Sequence, residues 1–186
     1  MAATADLCEF GWPAVDAHLP GTDGRRHQLF EQAGPGGLVI AFICNHCPYV
    51  KSSIGRIVRD ARDLRPMGIG FVAINSNDAT THPDDSFENM QLFARASGID
   101  FPYLHDEEQN VARAYGAVCT PDFFGFNADL KLQYRGRLDA ARAGPAPEGM
   151  TRDLYDAMVK IARSGEGPRE QQPSMGCSIK WKGAAF

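Results

Sequence analysis

The chain lacks the segments that would place it in or across a membrane. Its first residues, Met1-Ala-Ala-Thr-Ala-Asp-Leu-Cys-Glu-Phe10, have neither a basic start nor an apolar core, so they do not read as a secretory signal. The longest apolar run, Leu38 to Cys44, falls far short of the roughly 20 residues a membrane span needs. Positive charge is not in excess: 19 Lys and Arg against 23 Asp and Glu give a net charge of −4. A nucleic-acid or anionic-membrane surface calls for the opposite balance. There is no internal repeat, no low-complexity block and no second Cys-x-x-Cys, so a tetrahedral zinc set stays incomplete. Cysteines are few and odd in number: Cys8, Cys44, Cys47, Cys119 and Cys177. That is not the even set of a secreted disulfide framework. The expectation is a reducing cytoplasm, where a close Cys pair is catalytic or metal-binding rather than structural.

What is present fits one folded domain. The 186 residues are 44% apolar and 23% charged, close to globular averages. We read one domain over 1–186, with a core of about 10–163 and a tail over 164–186. His18-Leu19-Pro20 and His27 to Phe30 flank Gly21-Thr22-Asp23-Gly24, a hairpin signature. Leu38 to Ile43 is apolar without alternation, which suits a strand covered on both faces.

From Pro48 the period becomes helical, with Val50, Ile54, Ile57, Val58, Ala61 and Leu64 on one side and Lys51, Arg56, Arg59 and Arg62 on the other. Met67-Gly68 ends that helix, and Ile69 to Ile74 supplies a second buried strand. The order strand, helix, strand predicts parallel pairing with a right-handed crossover. Helices are expected over about Ser86–Ser97 and Gln109–Tyr115. Leu130 to Tyr134 reads as a half-exposed strand, Ala140 to Gly149 as a loop, and Thr151 as the cap of a last helix. The tail ending Gly176-Cys-Ser-Ile-Lys-Trp181 has no assignable pattern.

Cys44-Asn45-His46-Cys47 falls where the first buried strand ends and the helix begins. Residues three apart on a helical turn have Cα atoms about 5–6 Å apart, within the reach of a disulfide. A helix N-terminus offers unpaired N–H groups and the positive end of its dipole, and both favour thiolate. Cys44 is expected to be the exposed attacking thiolate, and Cys47, one turn inside the helix, the resolving thiol. Two other readings remain: core cysteines packing as small hydrophobes, and a metal site on Cys44, His46 and Cys47. His46 is either a solvent-facing residue or a group that stabilises the thiolate and makes the disulfide more oxidising.

The order of strand, Cys-x-x-Cys and helix, with Thr120-Pro121 before a later hairpin, resembles the thioredoxin superfamily over most of Phe10 to Arg163. Gly11 to Gly24 resembles the opening hairpin of the peroxiredoxin and bacterial thioredoxin-like branch. Phe42 to Val50, Ala73 to Asp78, Tyr115 to Phe124 and Gly176 to Trp181 resemble one bacterial subfamily of small AhpC/TSA-type redoxins, described as thiol–disulfide isomerases. The resemblance implies an α/β thioredoxin-like fold, with a mixed central sheet flanked by helices and an N-terminal hairpin extension. It also implies that Pro121 is a cis-proline opposite the dithiol, presenting backbone to an extended substrate strand and keeping metals off the thiols. Ile43 replaces the usual Trp before the first Cys, and the inner pair is Asn-His rather than Gly-Pro. The Pro and Thr of the peroxiredoxin signature, counted back from Cys47, fall on Ile40 and Cys44, which argues against peroxide reduction by that mechanism.

These readings converge on a thiol–disulfide oxidoreductase exchanging disulfides with protein or small-molecule thiols through Cys44 and Cys47. No dissociable cofactor, resident metal, nucleic acid or membrane partner is expected. The alternatives are a peroxiredoxin-like peroxidase and a non-enzymatic copper binder. Cys119, two residues before Pro121, is a candidate third redox thiol, and Cys177, in a mobile-looking tail, a candidate relay. Cys8 reads as incidental. His18, His27, His82 and His105 show no ligand spacing.

Overall fold

Leu38-Val-Ile-Ala-Phe42 lacks alternation because both faces of its strand are covered. The computed structural model describes residues 2–141, 144 and 146–183. At its centre lies β4 (Gly37–Phe42), every residue of it buried. Val39 and Ala41 face one apolar cluster, and Leu38, Ile40 and Phe42 face the other, as the two-residue side-chain period of a strand requires.

Before β4 come β1 (Ala2–Thr4) and the hairpin of β2 (His18–Pro20) with β3 (Arg26–Gln28). After it come α1 (Pro48–Leu64), β5 (Ile69–Asn75), α2 (Phe87–Ser97), β6 (Tyr103–His105) and α3 (Asn110–Tyr115). The remainder is β7 (Cys119–Thr120), β8 (Asp122–Phe126), β9 (Leu132–Gly136), α4 (Asp153–Ser164) and β10 (Met175–Ser178). The main sheet has the order β6-β5-β4-β8-β9, with β4, β5 and β6 parallel and β8 and β9 antiparallel. This is the expected mixed sheet. Helices α1, α2 and α4 bury Val50, Ile57, Met90, Leu154, Met158 and Ile161 against one face. Helix α3 and the N-terminal segment cover the other, where Tyr115 packs edge-on to Phe124 at 5.6 Å between centroids.

Helix α1 is tied to α4 by charge as well as apolar contact. Arg152 Nη2 reaches Asp60 Oδ1 at 2.5 Å and Asp63 Oδ2 at 2.7 Å. Burial raises the Asp60 carboxyl, while hydrogen bonds from Arg59 and Arg152 pull it back. Arg56, expected among solvated charges, instead turns to Asp139 at 2.7 Å.

Three sequence expectations change here. The strand predicted from Leu130 starts at Leu132 and is largely buried, because the tail folds over it. Gln171 Oε1 accepts the Arg135 N–H at 2.9 Å, and Ser174 Oγ donates to the Gly136 carbonyl at 2.7 Å. Thr151 does not cap the last helix. Arg152 holds that position without a side-chain cap, and the Leu154 N–H is satisfied by the Leu138 carbonyl at 3.1 Å. The tail supplies β10, which lies between β1 and β7 in a second sheet. Of the loop over 140–149, residues 142, 143 and 145 lie outside the described residues, as do 184–186 at the end of the tail. No described helix is long and apolar enough to cross a membrane.

Candidate functional site

Proline dictates where α1 begins. The residue before a proline is pushed out of the helical region, so Cys47 takes φ −63°, ψ 122° and becomes the N-cap, with Pro48 opening the helix. Cys47 therefore stands at the helix mouth and not one turn inside it. Cys44 follows β4 in the same crossing. The expectation of an exposed Cys44 is overturned, since Cys44 and Cys47 are both 0% exposed.

The partner across the pair is Thr120. Its Oγ1 lies 3.3 Å from Cys44 Sγ, and its carbonyl accepts from Cys47 Sγ at 3.2 Å in the fully protonated pair. The Thr120–Pro121 peptide is cis, and Pro121 is buried. Helix α1, β4 and β7 thus bring together residues more than 70 positions apart.

The two thiols are close enough to shift each other's ionisation and titrate as a unit. Cys44 is driven well above the ordinary thiol value by its bond to Cys47, by burial and by the nearby charge of Asp85. Cys47 is lowered to about 4, chiefly by the bond from Cys44 and further by the thiol of Cys177 and the Val50 N–H in the first turn of α1. With one thiol raised and the other lowered, the pair carries a single negative charge shared between its two sulfurs.

A buried carboxylate organises the Cys44 side. Asp85 Oδ1 accepts the Asn45 N–H at 2.7 Å, and Asp85 Oδ2 accepts from His46 Nδ1 at 2.5 Å and from Asn77 Nδ2 at 2.8 Å. Burial pushes the Asp85 carboxyl up, but the bonds from His46 and Asn77, with the His46 charge, hold it below the ordinary value. The same bond raises His46 against the opposing effect of burial. The His82 ring stacks on His46 at 5.3 Å between centroids. Tyr103 Oη donates to Asn45 Oδ1 at 2.8 Å, fixing the backbone between the cysteines. Cys44, His46 and Asp85 are also the one donor cluster among the described residues close enough to hold a metal ion.

Sequence reading missed Asp85 and Asn77. Asp85 lies 40 positions from Asn45, with no spacing rule to join them, although its neighbourhood follows the polar turn Asn75 to Asp78. Cys119 is not drawn into the pair: its thiol donates to the Pro121 carbonyl at 3.8 Å, and burial drives its pKa far up. Cys177 is brought in. It sits on β10 directly opposite Thr120, so the tail is a paired strand rather than a mobile extension. The backbone edge beside Pro121, expected to be open, is taken by β10. Next to it a cleft is lined by Tyr49, Arg56, Pro121, Phe123, Pro173 and Met175. His105 is buried on β6 against Phe87, and Cys8 is half-buried with its pKa raised to about 11 by burial.

A family model for the AhpC/TSA family matches residues 10–135. An uncharacterized conserved protein from Geobacillus kaustophilus is 44% identical in its crystal structure, with a TM-score of 0.92 over 100% of this chain and 98% of that one. The thiol-disulfide oxidoreductase ResA of Halalkalibacterium halodurans is 22% identical over 161 residues, covering 87% of this chain and 81% of its own. A secreted disulfide oxidoreductase of Mycobacterium tuberculosis shares the fold at 16% identity and a TM-score of 0.58, over 78% of this chain and 95% of its own.

Proposed function

The chain belongs to the AhpC/TSA family of thioredoxin-superfamily redoxins, and from that premise we propose that it is a thiol–disulfide oxidoreductase cycling Cys44 and Cys47 between dithiol and disulfide. One observation carries the reading: two thiols at a helix mouth sit against the cis Thr120–Pro121 peptide, with Thr120 Oγ1 at 3.3 Å from Cys44 Sγ and the Thr120 carbonyl at 3.2 Å from Cys47 Sγ. Cys44 is the sulfur that enters the mixed disulfide. As it attacks a substrate disulfide, its proton passes to Cys47, and the first substrate thiolate leaves. Cys47 then gives that proton to the departing thiolate and attacks Cys44 Sγ. The protein disulfide closes, and the second substrate thiolate takes a proton from solvent.

In this reading Asp85 and His46 are positioning residues that fix the Asn45 backbone and set the field around Cys44. The cleft beside Pro121 receives the chain that carries the substrate disulfide. Because neither sulfur is exposed, protein or small-molecule disulfides react only when the residues covering the pair move aside.

Insulin reduction and equilibration with glutathione test this directly. Cys44→Ser and Cys47→Ser are each expected to slow turnover by about a hundredfold or more. Undiminished exchange in both variants would sink the assignment. Rapid peroxide consumption without disulfide exchange would favour the peroxidase instead.

A further inference from the structure

Strand β10 places a third sulfur on the dithiol. Cys177 lies directly opposite Thr120 in the antiparallel pairing of β10 with β7, and Thr120 is the residue that contacts both Cys44 and Cys47. The Cys177 side chain packs against the apolar cluster containing those two cysteines, close enough to Cys47 for each to affect the other's ionisation. The placement is held from both sides. Ala2 of β1 pairs with Cys177, and Gly176 lies so close to Thr120 that a Cβ there would run into its carbonyl. Beyond the strand, the Lys180 N–H donates to Asn77 Oδ1 at 2.9 Å, and the Lys180 carbonyl accepts from Gln109 Nε2 at 2.7 Å. Cys44 and Cys47 are wholly buried, whereas Cys177 is only half-buried.

We propose that Cys177 is a third redox thiol that takes the disulfide from the buried pair and carries it to the surface as a Cys47–Cys177 disulfide. The proposal rests on the Cys44–Cys47 cycle described above. Starting from the Cys44–Cys47 disulfide, the Cys177 thiolate attacks Cys47 Sγ. A Cys47–Cys177 bond forms, the Cys44–Cys47 bond breaks, and Cys44 leaves as a thiolate that takes up the proton Cys177 gave up. No net oxidation occurs in this step. A thiolate of an external dithiol then attacks Cys177 Sγ, forming a mixed disulfide and releasing Cys47. The partner's second thiol closes its own disulfide, leaving three protein thiols. The partner is oxidised and the protein reduced by two electrons, and the reverse sequence reduces a partner disulfide.

The measurement is disulfide mapping by mass spectrometry after oxidation with oxidised glutathione and quenching with N-ethylmaleimide, alongside turnover with a dithiol substrate. Wild type is expected to yield both Cys44–Cys47 and Cys47–Cys177 peptides, and Cys44→Ser to convert almost wholly to Cys47–Cys177. Cys177→Ser is expected to keep the Cys44–Cys47 disulfide but to turn over about tenfold more slowly. Absence of the Cys47–Cys177 peptide from Cys44→Ser would overturn the proposal, as would wild-type turnover in Cys177→Ser. Either result with the Cys44–Cys47 disulfide still forming leaves the dithiol reading standing. A wild-type protein that forms no Cys44–Cys47 disulfide defeats that reading first. Cys44→Ser retains Cys177 and the whole tail, so its result does not depend on how the Cys177 variant folds.

Discussion

Asp85 is a buried carboxylate held ionised by four hydrogen bonds, from the Asn45 N–H, His46 Nδ1, Asn77 Nδ2 and Asn75 Nδ2. Its pairing with His46 has a defined pH window. His46 is raised above its ordinary 6.5, so its contribution is complete below that value and fades as pH rises through the higher folded value. Asp85 is lowered from 3.8, so its contribution is present above 3.8 and fades as pH falls through the lower folded value. Asp85→Asn is expected to bring the His46 midpoint, followed by NMR, down to or below 6.5. The accompanying loss of stability should be largest between those limits, at about 1 kcal/mol, because the ring is part-exposed. An unmoved His46 midpoint would refute the pairing. Of these residues only Cys44, His46 and Cys47 announced themselves in the sequence, because they are adjacent. Asp85 has no such signal, since what makes it important is burial next to a segment 40 positions away.

The elements differ in how plainly they were written. Helix α1 declares itself by period and by Pro48, and β4 by its unbroken apolar run. Strand β10 is four residues with a glycine in it, and becomes a strand only because β1 and β7 supply partners on both sides. Gly176→Ala probes that docking. The added Cβ meets backbone of Thr120 and Pro121, so the strand must lift, at about 1–3 kcal/mol. Trypsin is expected to cut at Arg169 and Lys180 several-fold faster in the variant while α1 and the main sheet stay intact. Equal cleavage of both proteins would show that β10 yields without cost.

Across the whole molecule, closing the tail over β8 and β9 buries charge. Asp122 is 0% exposed, and burial raises its pKa to about 6 although Arg135 stands 3.3 Å away. A carboxyl raised on folding binds its proton more tightly in the native state, so its contribution is most favourable below the unfolded value and declines as pH rises towards 6. Chemical unfolding at several pH values should show wild type losing about 2–3 kcal/mol relative to Asp122→Asn between pH 4 and 7. Parallel pH profiles for the two proteins would rule this out.

The sequence by itself determined the parallel strand–helix–strand unit, its crossover helix and the position of the Cys44–Cys47 pair. These depend on side-chain period and on residues a few positions apart, which is information a linear string carries. Tertiary structure alone decided that both sulfurs are buried, that they titrate as a pair, and that Cys177 packs beside them. Each of those depends on what covers the helix mouth, and the covering residues, Asp85, Thr120 and β10, come from distant parts of the chain. Desolvation and proton sharing are properties of that enclosure, and no local pattern encodes them.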